Sequence, residues 1–220
     1  MRTASRLLLA VTTVALAALL LRSAADDKED RLWQHRNLGK ALYENPSMKA
    51  EAVDELKKAL QLAPGSLRDR LNHGLALLRA DRTKEGIAEL EMVQKQDPSI
   101  PHTWFNLGMA YKKEHRYEDA IKQFEGMAQR VPDEPVTRYQ LGLLSNLLGN
   151  EAKALEYFRE SLRLNANLVA PRYQIYNIHR LAGRDADAAL EMEVFQKAKD
   201  MQKALDESED MEWSFYSELY

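Results

Sequence analysis

Residues Thr103 to Pro132 read TWFNLGMAYKKEHRYEDAIKQFEGMAQRVP. Trp104, Leu107 and Tyr111 recur at spacings of three and four, which puts them on one face of a helix, and Ile121 and Phe124 share a face of the segment that follows. Each helix has an apolar stripe to bury, and the other supplies the cover. Gly108 and Ala120 are small enough to let two backbones approach, while Pro132 cannot continue the second helix and ends it. The stretch therefore reads as two short helices folded against each other.

The same pattern returns on a fixed clock. From Gly108, the small residue of the first helix recurs 34 residues away at Gly74 and Gly142, and after a step of 35 at Gly39. The second small position is filled by Ala52, Gly86, Ala120, Ala154 and Ala188, and the closing proline by Pro64, Pro98 and Pro132. On these residues the chain resembles the tetratricopeptide repeat family, whose helix-turn-helix unit has that period. The resemblance implies an all-α, right-handed superhelical solenoid of five helix-turn-helix units with a long C-terminal capping helix. The units run over about 31–64, 65–98, 99–132, 133–166 and 167–200, within a solenoid spanning 26–205. An unrelated helical bundle would need no such clock.

Departures from the pattern also predict structure. Repeat one has an extra residue in its turn, within Asn45 to Lys49, which accounts for the longer step. Repeat four has Ala166 where proline is expected, and repeat five has Tyr176 for glycine and Asp200 for proline. With nothing to stop it, the last helix is expected to run through Met192, Phe195, Met201 and Leu205, its outer face rich in Lys, Asp and Glu as a terminal repeat requires.

Residues 1–25 are of another kind. Arg2 and Arg6 precede an uncharged apolar stretch from Leu7 to Leu21, then Arg22 and Ser23-Ala24-Ala25. A basic start, a short apolar middle and small residues before a cut read as a secretory signal peptide cleaved after Ala25. The alternative is an uncleaved inner-membrane anchor over 7–21. Fifteen helical residues at ~1.5 Å each reach only about 22 Å, against a hydrocarbon core near 30 Å, so the anchor starts at a disadvantage. Either way the repeats are expected to be exported, periplasmic or secreted.

Without the leader, 28 basic residues stand against 34 acidic ones, a balance unsuited to a general nucleic-acid binder. There is no cysteine, and His35, His73, His102, His115 and His179 lie in different repeats without paired ligand spacing, so neither a metal site nor a cofactor is expected. No glycine-rich phosphate loop, Gly-x-Ser-x-Gly elbow or His-Glu-x-x-His pair occurs, and an enzyme is not expected.

Function is then sought on the concave surface that the first helix of each repeat would line. Two residues before each Leu-Gly glycine, or its equivalent, stand Asn37, Asn72, Asn106, Gln140 and Gln174. A carboxamide donates and accepts at once, so such a row can grip a peptide main chain without reading side chains. The row resembles ladders in tetratricopeptide proteins that bind extended polypeptides; carboxamides here can equally serve only neighbouring helices. One residue earlier come Arg36, Leu71, Phe105, Tyr139 and Tyr173, and three after the ladder come Lys40, Leu75, Met109, Leu143 and Asn177. They describe a groove apolar and aromatic in the middle and basic at Arg36 and Lys40, the kind of exposed apolar surface that marks binding sites, with about a third of these residues packing between repeats instead. The carboxylate clamp of related chaperone adaptors is not reproduced, since Phe105 and Met109 stand where polar or basic groups would help.

Residues 206–220 form an acidic then aromatic tail carrying Trp213, Phe215, Tyr216 and Tyr220, more aromatic than disordered ends usually are. Three roles fit: docking into the chain's own groove, contacting a partner, or leading into a further domain. The leader, the repeats and the Glu-Trp-Ser-Phe-Tyr ending together resemble the front part of exported bacterial proteins whose repeats precede a propeller domain. The expected function is a protein-protein interaction module that binds an extended polypeptide, as a scaffold or assembly factor in the cell envelope. The alternative is a structural spacer or oligomerisation element whose groove its own tail fills.

Overall fold

A computed structural model describes residues 26–204, 216 and 218–220. The described residues form helices α1 (26–44), α2 (Lys49–Leu62), α3 (Leu67–Arg79), α4 (Thr83–Gln96), α5 (Pro101–Lys113), α6 (Tyr117–Arg130), α7 (Pro135–Leu147), α8 (Glu151–Leu164), α9 (Ala170–Leu181) and α10 (Asp185–Ala204), with no strand among them. α5 pairs with α6, α7 with α8 and α9 with α10 as helical hairpins, and the described residues are all-α. The chain divides into two compact units, one ending at Gly86 and the other starting at Ile87.

The turns explain the period. In four of the hairpins the residue that must turn left-handed recurs every 34 positions, as Asp81, His115, Gly149 and Gly183, with φ between 59° and 78°. The next amide closes the helix by donating to the carbonyl five residues back, as Arg116 N to Tyr111 O and Asn150 N to Ser145 O, both at 2.9 Å. The α1–α2 turn spans 45–48 and is one residue longer than the others, as the 35-residue step requires. α8 ends at Leu164 despite lacking a proline; Asn165 Oδ1 accepts from Asn167 N at 3.0 Å, as Asp97 Oδ1 accepts from Ser99 N after α4. The same side-chain turn follows both helices, with the proline after α4 and without it after α8. α10 extends through Met192, Phe195 and Met201 to Ala204, and Leu205 lies outside the described residues.

In the second unit the hairpin glycines hold side chains rather than bare backbone, which corrects the expectation for Gly108. A Cβ there would lie 2.8 Å from the Phe124 ring, and one at Gly142 would lie 2.5 Å from the Phe158 ring. Phe124 and Phe158 are fully buried, so each glycine is the hole for an aromatic knob 16 residues on. Leu107 and Tyr111 are buried as their stripe predicts. Trp104 is half-buried, its Nε1 donating to the Pro98 carbonyl at 2.8 Å and its ring covered by the Arg130 guanidinium at 3.8 Å. Further along, Tyr139, Ala154, Phe158, Ile175 and Ile178 form one core cluster joining α7, α8 and α9. In the first unit Gly39 plays the same part against Leu56, at 2.8 Å.

Candidate functional site

The carboxamide row falls on equivalent turns of α1, α3, α5, α7 and α9, but its members stand in different surroundings. Asn37 is exposed and Gln174 half-buried, whereas Asn72, Asn106 and Gln140 are buried. Asn106 Nδ2 donates to the His102 carbonyl one turn earlier at 2.8 Å and also to the main-chain carbonyl of Tyr216, which uses both of its hydrogens. Gln140 Oε1 accepts from Lys112 Nζ at 2.7 Å, and Gln140 Nε2, fully buried, has no acceptor among the described residues. A buried amide hydrogen without a partner costs stability, so this rung has donor capacity that the described residues do not use.

Beside Asn106, the imidazole of His102 meets two rings of the tail edge-on. Tyr216 lies with its centroid at 5.1 Å and an interplanar angle of 72°, and Tyr220 at 4.8 Å and 67°. Burial pushes the His102 pKa down to about 4, so the ring is neutral at physiological pH. Tyr216 lies in a 3₁₀ turn and Glu218 in a bend, so the segment curves where it passes α5. Trp213 and Phe215 lie outside the described residues. Sequence reasoning weighed His102 only as a metal ligand and passed it over; its place one turn before Asn106 was the available signal.

Most of the flanking positions correct the expected groove. Leu71, Leu75, Phe105 and Tyr139 are buried, and Leu143 packs against the α7–α9 core cluster. The reason lies in helical spacing. The residue before each ladder carboxamide is three before the hairpin glycine and shares its inward face, as Phe105 shows by meeting Phe124 edge-on at 5.8 Å. Of the apolar flanking residues, Met109 is half-buried, and Tyr173 is 43% exposed while stacked beside Tyr176 and Phe195. Asn177 is half-buried.

The basic end is corrected as well. Lys40 is exposed, but Arg36 is bound in a two-pronged pair with Asp69, Nε to Oδ1 at 2.7 Å and Nη2 to Oδ2 at 2.5 Å. Asp69 is almost wholly buried; burial works against its charge, but the hydrogen bonds from Arg36 and Ser66 outweigh it and hold the carboxyl below its usual range. Arg36 is a tie between α1 and α3, not a free cation for a ligand.

Helical hairpins joined by left-handed turns every 34 residues, with aromatic knobs set into glycine holes, define an α-helical repeat protein. The tetratricopeptide repeat family matches residues 71–135 and 105–168, so residues 71–168 are tetratricopeptide repeats. Among solved structures, MamA from Desulfovibrio magneticus RS-1 is similar at 18% identity and a TM-score of 0.68, covering 80% of this chain and 98% of that one. A second MamA crystal structure gives 15% identity and a TM-score of 0.69, covering 82% and 98%. Pseudomonas aeruginosa pilF gives 22% identity and 0.67, covering 78% of each chain. At such identities the likeness is one of fold. No curated protein matches the sequence.

Proposed function

We propose that this protein is a non-enzymatic interaction module that holds a polypeptide segment against the first helices of its repeats, with carboxamides taking the main chain. Proteins of this family generally bind other proteins or peptides, and the observation that carries the reading here is the Asn106 bond to a main-chain carbonyl 110 residues away. That is the chemistry a polypeptide ligand would use, and Gln140 Nε2, which has no acceptor among the described residues, would be a second donor of the same kind. The apolar run between Arg6 and Arg22 supports export, so the role is a scaffold or assembly factor in the cell envelope. Among the described residues no helix is long and apolar enough to cross a membrane, and residues 7–21 lie outside them.

A photo-crosslinker at Met109 in cells tests this reading. Capture of another polypeptide, lost when Asn106→Ala and Gln140→Ala are combined at unchanged helicity, is the expected result. Capture indifferent to both substitutions would sink it. The second reading is a structural spacer with its tail in place, and the ring contacts of Tyr216 and Tyr220 on His102 favour it. Crosslinks formed only within the chain would decide for the spacer.

A further inference from the structure

His102 and Asn106 stand one turn apart on α5, and between them they meet a single short segment in three ways. The Asn106 carboxamide takes the carbonyl of Tyr216, and the imidazole of His102 receives one ring from Tyr216 and another from Tyr220. Four residues of extended chain would separate those aromatic residues by about 13 Å along the backbone. The turn at Tyr216 and the bend at Glu218 draw the segment in, so that both rings can reach one imidazole. The main-chain bond sets where the segment lies, and the two ring contacts require aromatic side chains at the first and fifth positions.

We propose that this turn of α5 is a docking site for a partner segment that curves and carries aromatic residues four positions apart, and that Tyr216 and residues 218–220 occupy it as an internal copy of that ligand. The inference rests on the reading that α5 binds polypeptide, and it names the class of segment that binds. Several features support the assignment. His102 is buried by these contacts and its neighbours, and a neutral imidazole suits aromatic edges better than an acidic group. Glu218, between the two tyrosines, is exposed, so its carboxylate is not what α5 reads. A partner that reproduces the aromatic pair must compete with a segment tethered to the same chain, whose effective concentration is high. The tail thus sets the affinity threshold a partner has to pass.

The test uses the full-length chain and a dye-labelled peptide of residues 211–220, with binding read by fluorescence anisotropy. Wild type should bind the peptide weakly, because its own tail holds the site. The Tyr216→Ala, Tyr220→Ala double variant should bind it at least tenfold more tightly, and adding His102→Gln should remove that gain. A scrambled peptide of the same composition, with its tyrosines adjacent, should bind the double variant at least tenfold more weakly. If the double variant binds no better than wild type, the tail is not a competitor and the inference fails. If the scrambled peptide binds equally well and Asn106→Ala abolishes both, α5 holds polypeptide without reading aromatic spacing: the inference falls and the proposed function stands. If Asn106→Ala affects neither peptide, the proposed function falls as well. A wild-type chain that sediments as a dimer, and as a monomer once both tyrosines are replaced, would place the tail in a second copy and overturn the internal occupant.

Discussion

Asn106, in the middle of α5, gives one amide hydrogen to its own helix and the other to the carbonyl of Tyr216, so a single side chain joins the third repeat to the tail. In Asn106→Asp, carboxylate oxygens would face two carbonyl oxygens in place of two donated bonds. We expect amide exchange near residues 216–220 to rise at least tenfold while α5 and α6 keep their protection. Unchanged exchange in the tail would show that the bond holds nothing in place.

The pH response follows from His102, whose folded-state pKa of about 4 lies below the ordinary 6.5 because burial disfavours its charged form. A lowered histidine pKa means that the docked state binds fewer protons than the open one. Its contribution is therefore whole above about pH 6.5 and declines as pH falls towards 4. Tyr216 and Tyr220 are the groups that face the ring from the tail. Tail protection should fall between these limits, and the His102 titration followed by NMR should move upward in the double tyrosine variant. A midpoint near 6.5 in wild type would contradict the docked arrangement.

Gly108 tests the packing. A Cβ at 2.8 Å from the buried Phe124 ring forces either the ring or the helix to move, so Gly108→Val should cost about 1–3 kcal/mol by denaturant unfolding. Gly65, with nothing within 4 Å of its Cβ position, is the control, and Gly65→Ala should change stability little. Equal costs at the two sites would show that the aromatic knob does not constrain Gly108.

The Arg36–Asp69 pair should respond asymmetrically. Arg36→Met strands a carboxylate that is 1% exposed and should cost about 3–5 kcal/mol, whereas Asp69→Asn leaves a guanidinium that can still reach water and should cost less. Because the Asp69 pKa is lowered, the pair's contribution is present above about pH 4 and is lost as pH falls through the lower folded value; Asp69→Asn should remove that acid-sensitive component. Equal costs for the two substitutions would count against a buried carboxylate.

Much of the fold is legible in particular residues. The 34-residue return of Gly74, Gly108 and Gly142 announces identical hairpins, and the missing stop at Asp200 announces a long α10. The recurring left-handed position is harder to see, because Asp81 and His115 occupy it beside Gly149 and Gly183 and share no side-chain chemistry. At the candidate site the carboxamide row was legible as a row. The roles of its members were not, since Asn106 and Gln140 occupy equivalent positions yet differ in what they bond.

The all-α repeat class is legible in the residues alone, because helical period and the repeat clock are local properties that each hairpin carries within its own residues. Which face of a first helix is covered depends on how the hairpins pack: Phe105 and Tyr139 turn inward onto Phe124 and Phe158, away from the groove expected of them. Packing likewise brings His102 to Tyr216 and Tyr220, since a contact between residues more than a hundred positions apart leaves no spacing to read.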